Sequence, residues 1–224
     1  MQIHDILDKK DSDENIIGTE IRTDNHLVFF GNSTANLDRL QVAYPQYKFA
    51  FLKQVHGDKV IQRKDGDGEP EADGHYTDQK HLALCIVTAD CLPVMYYTEK
   101  EIVALHCGWR GVAQQIAKAS LEFVTGPIGH AFVGPHIPYS HFEVHKDVAQ
   151  DIVKNYNGFT EVEFEHPDPE KSFVDLATIV QNQLQLEDDD QFWVSSENTL
   201  TNEDYSSYRR NQSTSRNISF ICKL

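Results

Sequence analysis

Apolar residues in this chain fall into short blocks rather than long amphipathic stretches. β-Branched and aromatic residues dominate 27–30, 49–55, 82–88, 94–97, 102–106, 130–133, 192–194 and 218–222, and each block has the length of a strand. Several are continuously apolar, the pattern of strands covered on both faces. The polar Thr98-Glu99-Lys100-Glu101 separates Met95-Tyr96-Tyr97 from Ile102-Val103-Ala104-Leu105, which predicts a hairpin. Helical spacing appears in Val112, Ile116, Ala119 and Phe123, in Val144, Val148 and Ile152, and in Leu176, Ile179, Val180 and Leu184. Strands and helices are mixed without regular βαβ alternation, and no repeat of roughly 20–50 residues is present. The expected fold is therefore an α/β or α+β layered sandwich, with helices covering mixed sheets.

Composition narrows the class. Among 224 residues, 20 Lys and Arg stand against 35 Asp and Glu, a formal net charge of −15. Such a surface repels polyphosphate, so neither nucleic acid nor an anionic membrane is an expected partner. With 40% hydrophobic and 25% charged residues and no Pro-, Gly- or Ser-rich linker, residues 1–224 read as one soluble globular domain. Four cysteines, Cys85, Cys91, Cys107 and Cys222, are too few for a disulfide-stapled secreted scaffold, and reduced thiols are expected. Residues 1–14 carry Asp5, Asp8, Lys9, Lys10, Asp11, Asp13 and Glu14 where a signal peptide needs an apolar core, so the expected location is cytoplasmic. The apolar stretch 81–97 is interrupted by Asp90 and Pro93 and falls short of the roughly 18 residues of a membrane helix.

Two acidic stretches resemble ion sites only superficially. Counted from Asp65 as the first position of a calcium loop, Pro70 falls where the turn Gly belongs and Tyr76 where the bidentate Glu belongs, which rejects an EF-hand. Glu187-Asp188-Asp189-Asp190 follows a predicted helix and reads as a solvated turn.

Three motif blocks carry chemistry: Gln54-Val55-His56-Gly57, Thr88-Ala89-Asp90-Cys91-Leu92-Pro93 and His106-Cys107-Gly108-Trp109-Arg110-Gly111. In each, a metal-ligand residue type sits at or just beyond a predicted strand end, where neighbouring strands bring side chains together. His56, Cys91 and His106 would make a Cys-His₂ set suited to Zn²⁺, with a fourth position open to water or substrate. Their intervals of 35 and 15 residues match no local zinc-finger spacing, and a lone His or Cys is more often a core residue. Gly108 and Gly111 lie at the entrance to the helix expected near Val112, where free N–H groups and the helix dipole favour an anion, and Arg110 adds a planar cation that grips phosphate oxygens in pairs. The plainer alternative for this block is a tight strand-to-helix turn. Asp90, beside Cys91, is a candidate to orient a metal-bound His, and Asp73 a candidate general acid or base. The plainer alternative for each is a turn or capping Asp. Cys107 reads as a small buried hydrophobe.

The order Gln-Val-His-Gly, Ala72-Asp73-Gly74, Thr-Ala-Asp-Cys-Leu-Pro and His-Cys-Gly-Trp-Arg-Gly strongly resembles the purine nucleoside phosphorylase family once described as laccase-domain or multicopper polyphenol oxidoreductase proteins. The likeness runs from about Phe49 to Val144 and resumes weakly near the C-terminus. The resemblance implies a four-layer α/β/β/α fold and a zinc held by His56, Cys91 and His106. It also implies phosphorolysis of adenosine, inosine, guanosine and methylthioadenosine, with adenosine deamination as a further activity. Purine nucleoside and phosphate are then the expected partners, and Asp73, Asp90 and Arg110 the candidate catalytic residues. Tyr205-Ser206-Ser207-Tyr208-Arg209-Arg210 and Ser215-Arg216 are similar to further family blocks, and the paired arginines are candidates for an anion clamp.

The chain also departs from the family pattern. The segment 22–40 is compressed, His136 and His141 stand where family cysteines occur, and Asn198-Thr199 replaces a Cys-Thr pair. Three other readings compete. A copper-dependent polyphenol oxidase is chemically poor, because none of the eleven histidines stands two residues from another, although a Cys-His₂ site binds copper when copper is supplied. A cysteine hydrolase would use Cys91 as nucleophile and His106 as base. A nucleoside-binding sensor would keep the site without turnover.

Overall fold

The computed structural model describes residues 3, 5–187 and 189–224. One six-stranded sheet runs in the order β1 (Asp5–Lys10), β2 (Ile16–Arg22), β3 (His26–Gly31), β15 (Asn217–Lys223), β7 (Leu82–Thr88) and β4 (Lys48–Ala50). The second runs β14 (Phe192–Val194), β10 (His130–Val133), β8 (Leu92–Tyr97), β9 (Ile102–Cys107), β6 (Gly74–Thr77) and β5 (Val60–Gln62). Both are mixed, since β4 pairs in parallel with β7, β5 with β6 and β10 with β14. A small third sheet joins β11 (Glu143–His145), β13 (Lys171–Val174) and β12 (Glu163–Glu165). The helices are α1 (Leu37–Ala43), α2 (Trp109–Ala113), α3 (Ile116–Ser120), α4 (Lys146–Val153), α5 (Leu176–Gln183) and α6 (Tyr208–Asn211).

Strand alternation sorts the core into three apolar layers. On β9, Ile102 and Ala104 pack between the two large sheets, while Val103, Leu105 and Cys107 pack beneath α2, α3, α4 and α5. On β7, Leu84 and Ile86 face the inter-sheet layer, and Ala83 and Cys85 join Phe29, Phe220, Leu40 and Tyr44 under α1. The result is the expected four-layer α/β/β/α sandwich. Strands covered on both faces explain the continuously apolar blocks.

Residues 82–88, 130–133 and 192–194 are strands as the pattern predicts, and Tyr97 pairs with Ile102 in the expected hairpin. The block 49–55 departs from expectation: β4 ends at Ala50, and Lys53 makes only an isolated bridge to Glu71. The periodicity from Val112 to Phe123 is not one helix. Gln115 takes φ +64° between α2 and α3, and the segment closes with a 3₁₀ turn, Leu121–Phe123. The carbonyls of Val112 and Ala113, which a continuous helix would use, accept side-chain bonds from Gln183 (2.8 Å) and Asn155 (3.3 Å) instead. Val144 belongs to β11 rather than to α4. β1, at the sheet edge, is largely exposed and carries no apolar block, whereas β2 beside it is mostly buried but its core residues Ile17 and Ile21 are too far apart to form one.

The 65–69 turn is closed by an arginine. Arg63, only 1% exposed, donates its Nη2 to the carbonyls of Asp67 (3.1 Å) and Gly68 (2.8 Å). Of the 187–190 stretch, Asp188 lies outside the described residues, and Asp189–Gln191 form a 3₁₀ turn. Among the described residues no helix is long and apolar enough to cross a membrane. All four cysteines are free thiols, and Cys107 is buried in the helix-side layer as expected.

His75 on β6 is fully buried, and neither ring nitrogen has a hydrogen-bond partner. Burial, aided by the nearby Arg63 charge, holds its pKa down to about 3. The unfolded chain takes up this proton near pH 6.5 and the folded chain does not, so stability present above that pH drains away as the pH falls toward 3. In urea titrations, His75→Phe is expected to match or exceed the parent at pH 7.5, because it removes two unpartnered polar atoms, and to lose less stability at pH 5. A steeper acid loss in the variant would refute this account.

Candidate metal centre

The motif blocks meet where strand ends converge. β7 ends at Thr88, the chain turns through Ala89 and Asp90, and Cys91 precedes β8. His106, near the end of β9, continues the inter-sheet row of Ile102 and Ala104 and pairs in register with Pro93. His56 lies on the loop that leaves β4, held there by Gln54. That side chain donates Nε2–H to the Val87 carbonyl and accepts from the Val87 N–H, both at 2.8 Å, extending the edge of β7 beyond the end of β4. The ligand atoms of His56, Cys91 and His106 all lie within 4.8 Å of one another. The two imidazoles meet edge to face at 4.6 Å between centroids.

Asp73 lies behind these ligands, with 0% exposure. One carboxylate oxygen accepts from His106 Nδ1 (2.8 Å) and from the His56 N–H (2.9 Å). The other accepts from the Gly57 N–H (2.7 Å) and the Val55 N–H (3.1 Å). Three successive amides therefore wrap one carboxylate, and His56 takes φ +62° to allow it. Burial pushes the Asp73 pKa upward, but the His106 and amide hydrogen bonds outweigh it and hold the group below its ordinary value. With Nδ1–H committed to Asp73, His106 presents Nε2 to the centre.

The ligand set is electrostatically coupled. Burial opposes the Cys91 thiolate, yet hydrogen bonds from His106 and His56 bring its pKa down to about 6. Burial likewise opposes a charged His106, and its bonds to Asp73 and Cys91 raise it to about 9. A thiolate and two imidazoles, with one side open to a cleft, fit zinc and also copper. A tetrahedral ion sets such ligands about 3.3–3.6 Å apart, so the cluster must draw in by roughly 1 Å at its widest to close on one.

Glycine gives the backbone room beside the ligands. A Cβ on Gly108 would stand 3.2 Å from His56 Cδ2 and 3.3 Å from Cys91 Sγ. Gly108 is the N-cap of α2, so the helix begins earlier than the sequence pattern indicates, and Gly111 falls inside it rather than at its entrance. A Cβ on Gly111 would meet the Gly57 carbonyl at 2.8 Å, so this glycine seats α2 on the His56 loop.

Above the ligands opens a cleft of about 520 Å³, room for a small metabolite. Its wall carries Trp109, Phe142 and Tyr208, and three cations, Arg110, Arg209 and Arg216. Arg110 is exposed and stacks on Trp109 at 4.4 Å. Arg209 stacks on Phe142 at 5.2 Å and donates to the Glu143 carbonyl (3.0 Å). Arg216 donates to the carbonyls of Ser213 (2.9 Å) and Ser215 (2.8 Å).

The structure separates residues that the sequence groups together. Arg210 points its guanidinium at the carbonyls of Thr199, Leu200, Asn202 and Tyr205, so it ties a loop while its neighbour Arg209 lines the cleft. His136 is buried and bonded through Nδ1 to the Gly134 carbonyl (2.8 Å), and His141 meets Ser140 on the surface; neither lines the cleft. Asp73 takes the orienting part anticipated for Asp90 and does not line the cleft, a placement unsuited to acid–base work on a substrate. Asp90 lines the cleft with both carboxylate oxygens engaged, one by Thr199 Oγ1 (2.8 Å) and one by the Arg209 N–H (2.7 Å). Gln54 and the cleft-facing Arg209 and Arg216 have no signal beyond their motif blocks.

Asp73→Asn removes the acceptor that fixes His106, and zinc affinity measured against a chelating dye is expected to fall by about 10–100-fold. Below pH 9, His106 must release a proton to bind metal, so affinity in the parent is expected to rise with pH up to about 9. An unchanged affinity in Asp73→Asn, or a flat pH profile, would contradict this geometry.

Comparison with known proteins bears on the same residues. The profile of a family described as multi-copper polyphenol oxidoreductase laccase matches residues 28–223. A protein of Campylobacter jejuni named purine nucleoside phosphorylase is 28% identical over 185 residues, covering 78% of this chain and 76% of its own. One of Escherichia coli with the same name is 31% identical over 183 residues, covering 78% and 73%. Among solved structures, YlmD from Geobacillus stearothermophilus superposes with a TM-score of 0.82 at 20% identity, over 98% of this chain and 99% of its own. A Neisseria meningitidis protein gives 0.77 at 22% identity, over 90% and 95%. The last two show a shared fold. By the profile match across most of its length, the chain belongs to the family described as multi-copper polyphenol oxidoreductase laccase, which it shares with relatives named purine nucleoside phosphorylase.

Proposed function

We propose that the protein is a zinc-dependent purine nucleoside phosphorylase acting on adenosine, inosine, guanosine and methylthioadenosine, with deamination of adenosine as a side activity. The observation that carries this reading is a Cys-His₂ cluster at the floor of a cleft whose wall gathers three arginines, in a chain of net charge −15. The names of the curated relatives support it.

Phosphorolysis moves a phosphate oxygen onto the anomeric carbon of the ribose while the glycosidic bond breaks and its electron pair leaves with the purine. The nucleophile is an anion, and the exposed guanidinium of Arg110 in the cleft wall would hold it. Trp109, Phe142 and Tyr208 offer flat apolar surface for the base and sugar. A bound zinc supplies positive charge at the cleft floor, favouring negative charge on the departing base. His56, Cys91 and His106 would hold the ion, with Asp73 fixing the ring of His106. With Asp90 engaged and Asp73 behind the ligands, solvent provides the proton to the departing base. Water in place of phosphate, attacking C6 of adenosine, would release ammonia and leave inosine.

Two competing readings fit less well. Among the described residues one three-ligand cluster is present, whereas a multicopper oxidase needs several copper sites, and Cys91 between two imidazoles is better disposed to bind metal than to attack a substrate. A binding protein without turnover has the same cleft, and product analysis separates it.

Metal-replete protein is expected to convert inosine to hypoxanthine and ribose 1-phosphate only when phosphate is present, and adenosine to inosine when it is absent, with both reactions lost in Cys91→Ala. Arg110→Ala is expected to raise the phosphate KM by about 10-fold or more, the loss of a charge-assisted contact. Tight nucleoside binding without products would instead establish a sensor, and phenol oxidation that depends on added copper, with no nucleoside turnover, an oxidase.

A further inference from the structure

Asp90 holds together parts of the chain that are far apart in sequence. It occupies the turn between β7 and β8, directly before the ligand Cys91, at φ +90°, a region that side-chain-bearing residues rarely enter. Its Oδ1 accepts from Thr199 Oγ1 at 2.8 Å, 109 residues away, and its Oδ2 accepts from the Arg209 N–H at 2.7 Å, 119 residues away. Its carbonyl accepts from the Ile137 N–H at 3.2 Å. The four-residue α6 has no stability of its own at that length, so its position is set by such contacts. Ser207 caps it through the Arg210 N–H (3.1 Å), and Asp90 holds the neighbouring Arg209 N–H. Tyr208 and Arg209 ride on this turn into the cleft.

We propose that Asp90 is a positioning residue, which couples the metal-ligand turn to the cationic wall by fixing the backbone of Arg209. This rests on the reading that the arginines receive phosphate, and it replaces the expectation that Asp90 orients a metal-bound histidine. Its carboxylate has no oxygen free of a protein donor. The unfavourable backbone at Asp90 persists because bonds from three separate segments determine it. Arg209 is then anchored twice, at its backbone N–H by the Asp90 carboxylate and at Nη1 by the Glu143 carbonyl, where it lines the cleft that would receive an anion.

The test uses Asp90→Asn, since Asn tolerates positive φ and keeps the shape while losing the second acceptor. Zinc content should match the parent. The phosphate KM is expected to rise about tenfold, the range for one hydrogen bond to a charged group, with kcat changed less than about threefold. Arg209→Ala should do the same, and the double variant should be no worse than the more affected single one, because both changes remove one arrangement. Additive effects, or a kcat collapse with the phosphate KM unchanged, would overturn the proposal. An independent readout needs no turnover: amide exchange at Arg209 should quicken in Asp90→Asn, measured by NMR on phosphate-free protein. If the parent neither binds inorganic phosphate nor turns over nucleoside, the functional reading fails, and the exchange measurement still decides whether Asp90 fixes this backbone. Unchanged exchange at Arg209 would rule that out.

Discussion

The buried carboxylate of Asp73 is the contact on which the arrangement of the site depends. It is charged, inaccessible to water and surrounded by four donors from two segments, the 55–57 loop and β9. A lone buried carboxylate is strongly unfavourable, and here the surrounding N–H groups replace its hydration. Satisfying it has geometric consequences. The loop must wrap closely enough to force His56 into the left-handed region, and the ring of His106 must turn its Nδ1 inward. Both histidines of the candidate centre are thereby oriented by one group that does not line the cleft.

The layered fold makes this possible. Two sheets packed face to face supply a rigid inter-sheet layer, and His106 extends from the same row of β9 that fills it. Precision at the ligands derives from strand register, while the cleft wall comes from loops and short helices fastened by side chains. Gln54 fastens the His56 loop to β7, Arg210 gathers the carbonyls of the 199–205 loop, and Asp90 links the C-terminal segment to Cys91. Three of the 20 basic residues of this acidic protein, Arg110, Arg209 and Arg216, meet at the cleft, so the local potential there runs against that of the whole surface.

Much of this was legible in the sequence. Central strands were visible because burial on both faces leaves them continuously apolar, as in 82–88 and 130–133, and the metal-ligand types stood out at their ends. Edge and surface elements were not, because β1 and the short strands of the third sheet pair with largely polar side chains, while in β2 the buried Ile17 and Ile21 are separated by Gly, Thr and Glu and form no apolar run. The break between α2 and α3 was hidden for a different reason: Gln183 and Asn155, the residues that take the helix carbonyls, are 71 and 42 residues away. Asp73 holds the histidine ring that the sequence assigns to Asp90, and Asp90 instead binds the C-terminal segment. Adjacency to Cys91 drew attention to Asp90, yet the backbone turn there directs its carboxylate toward the C-terminal segment, and β6 pairing with β9 brings Asp73 to His106.

The placement of β15 bears on the order in which the molecule can be assembled. This strand, Asn217–Lys223, lies in the interior of the first sheet, paired with β3 on one side and β7 on the other. It also follows every other strand of that sheet in the chain. A nascent chain that has emerged only as far as residue 216 therefore has two apolar strands, with Phe29 and Leu84 among their residues, whose native neighbour does not yet exist. Sheet closure must wait for it, leaving exposed edges during synthesis, the state in which chaperones are most needed.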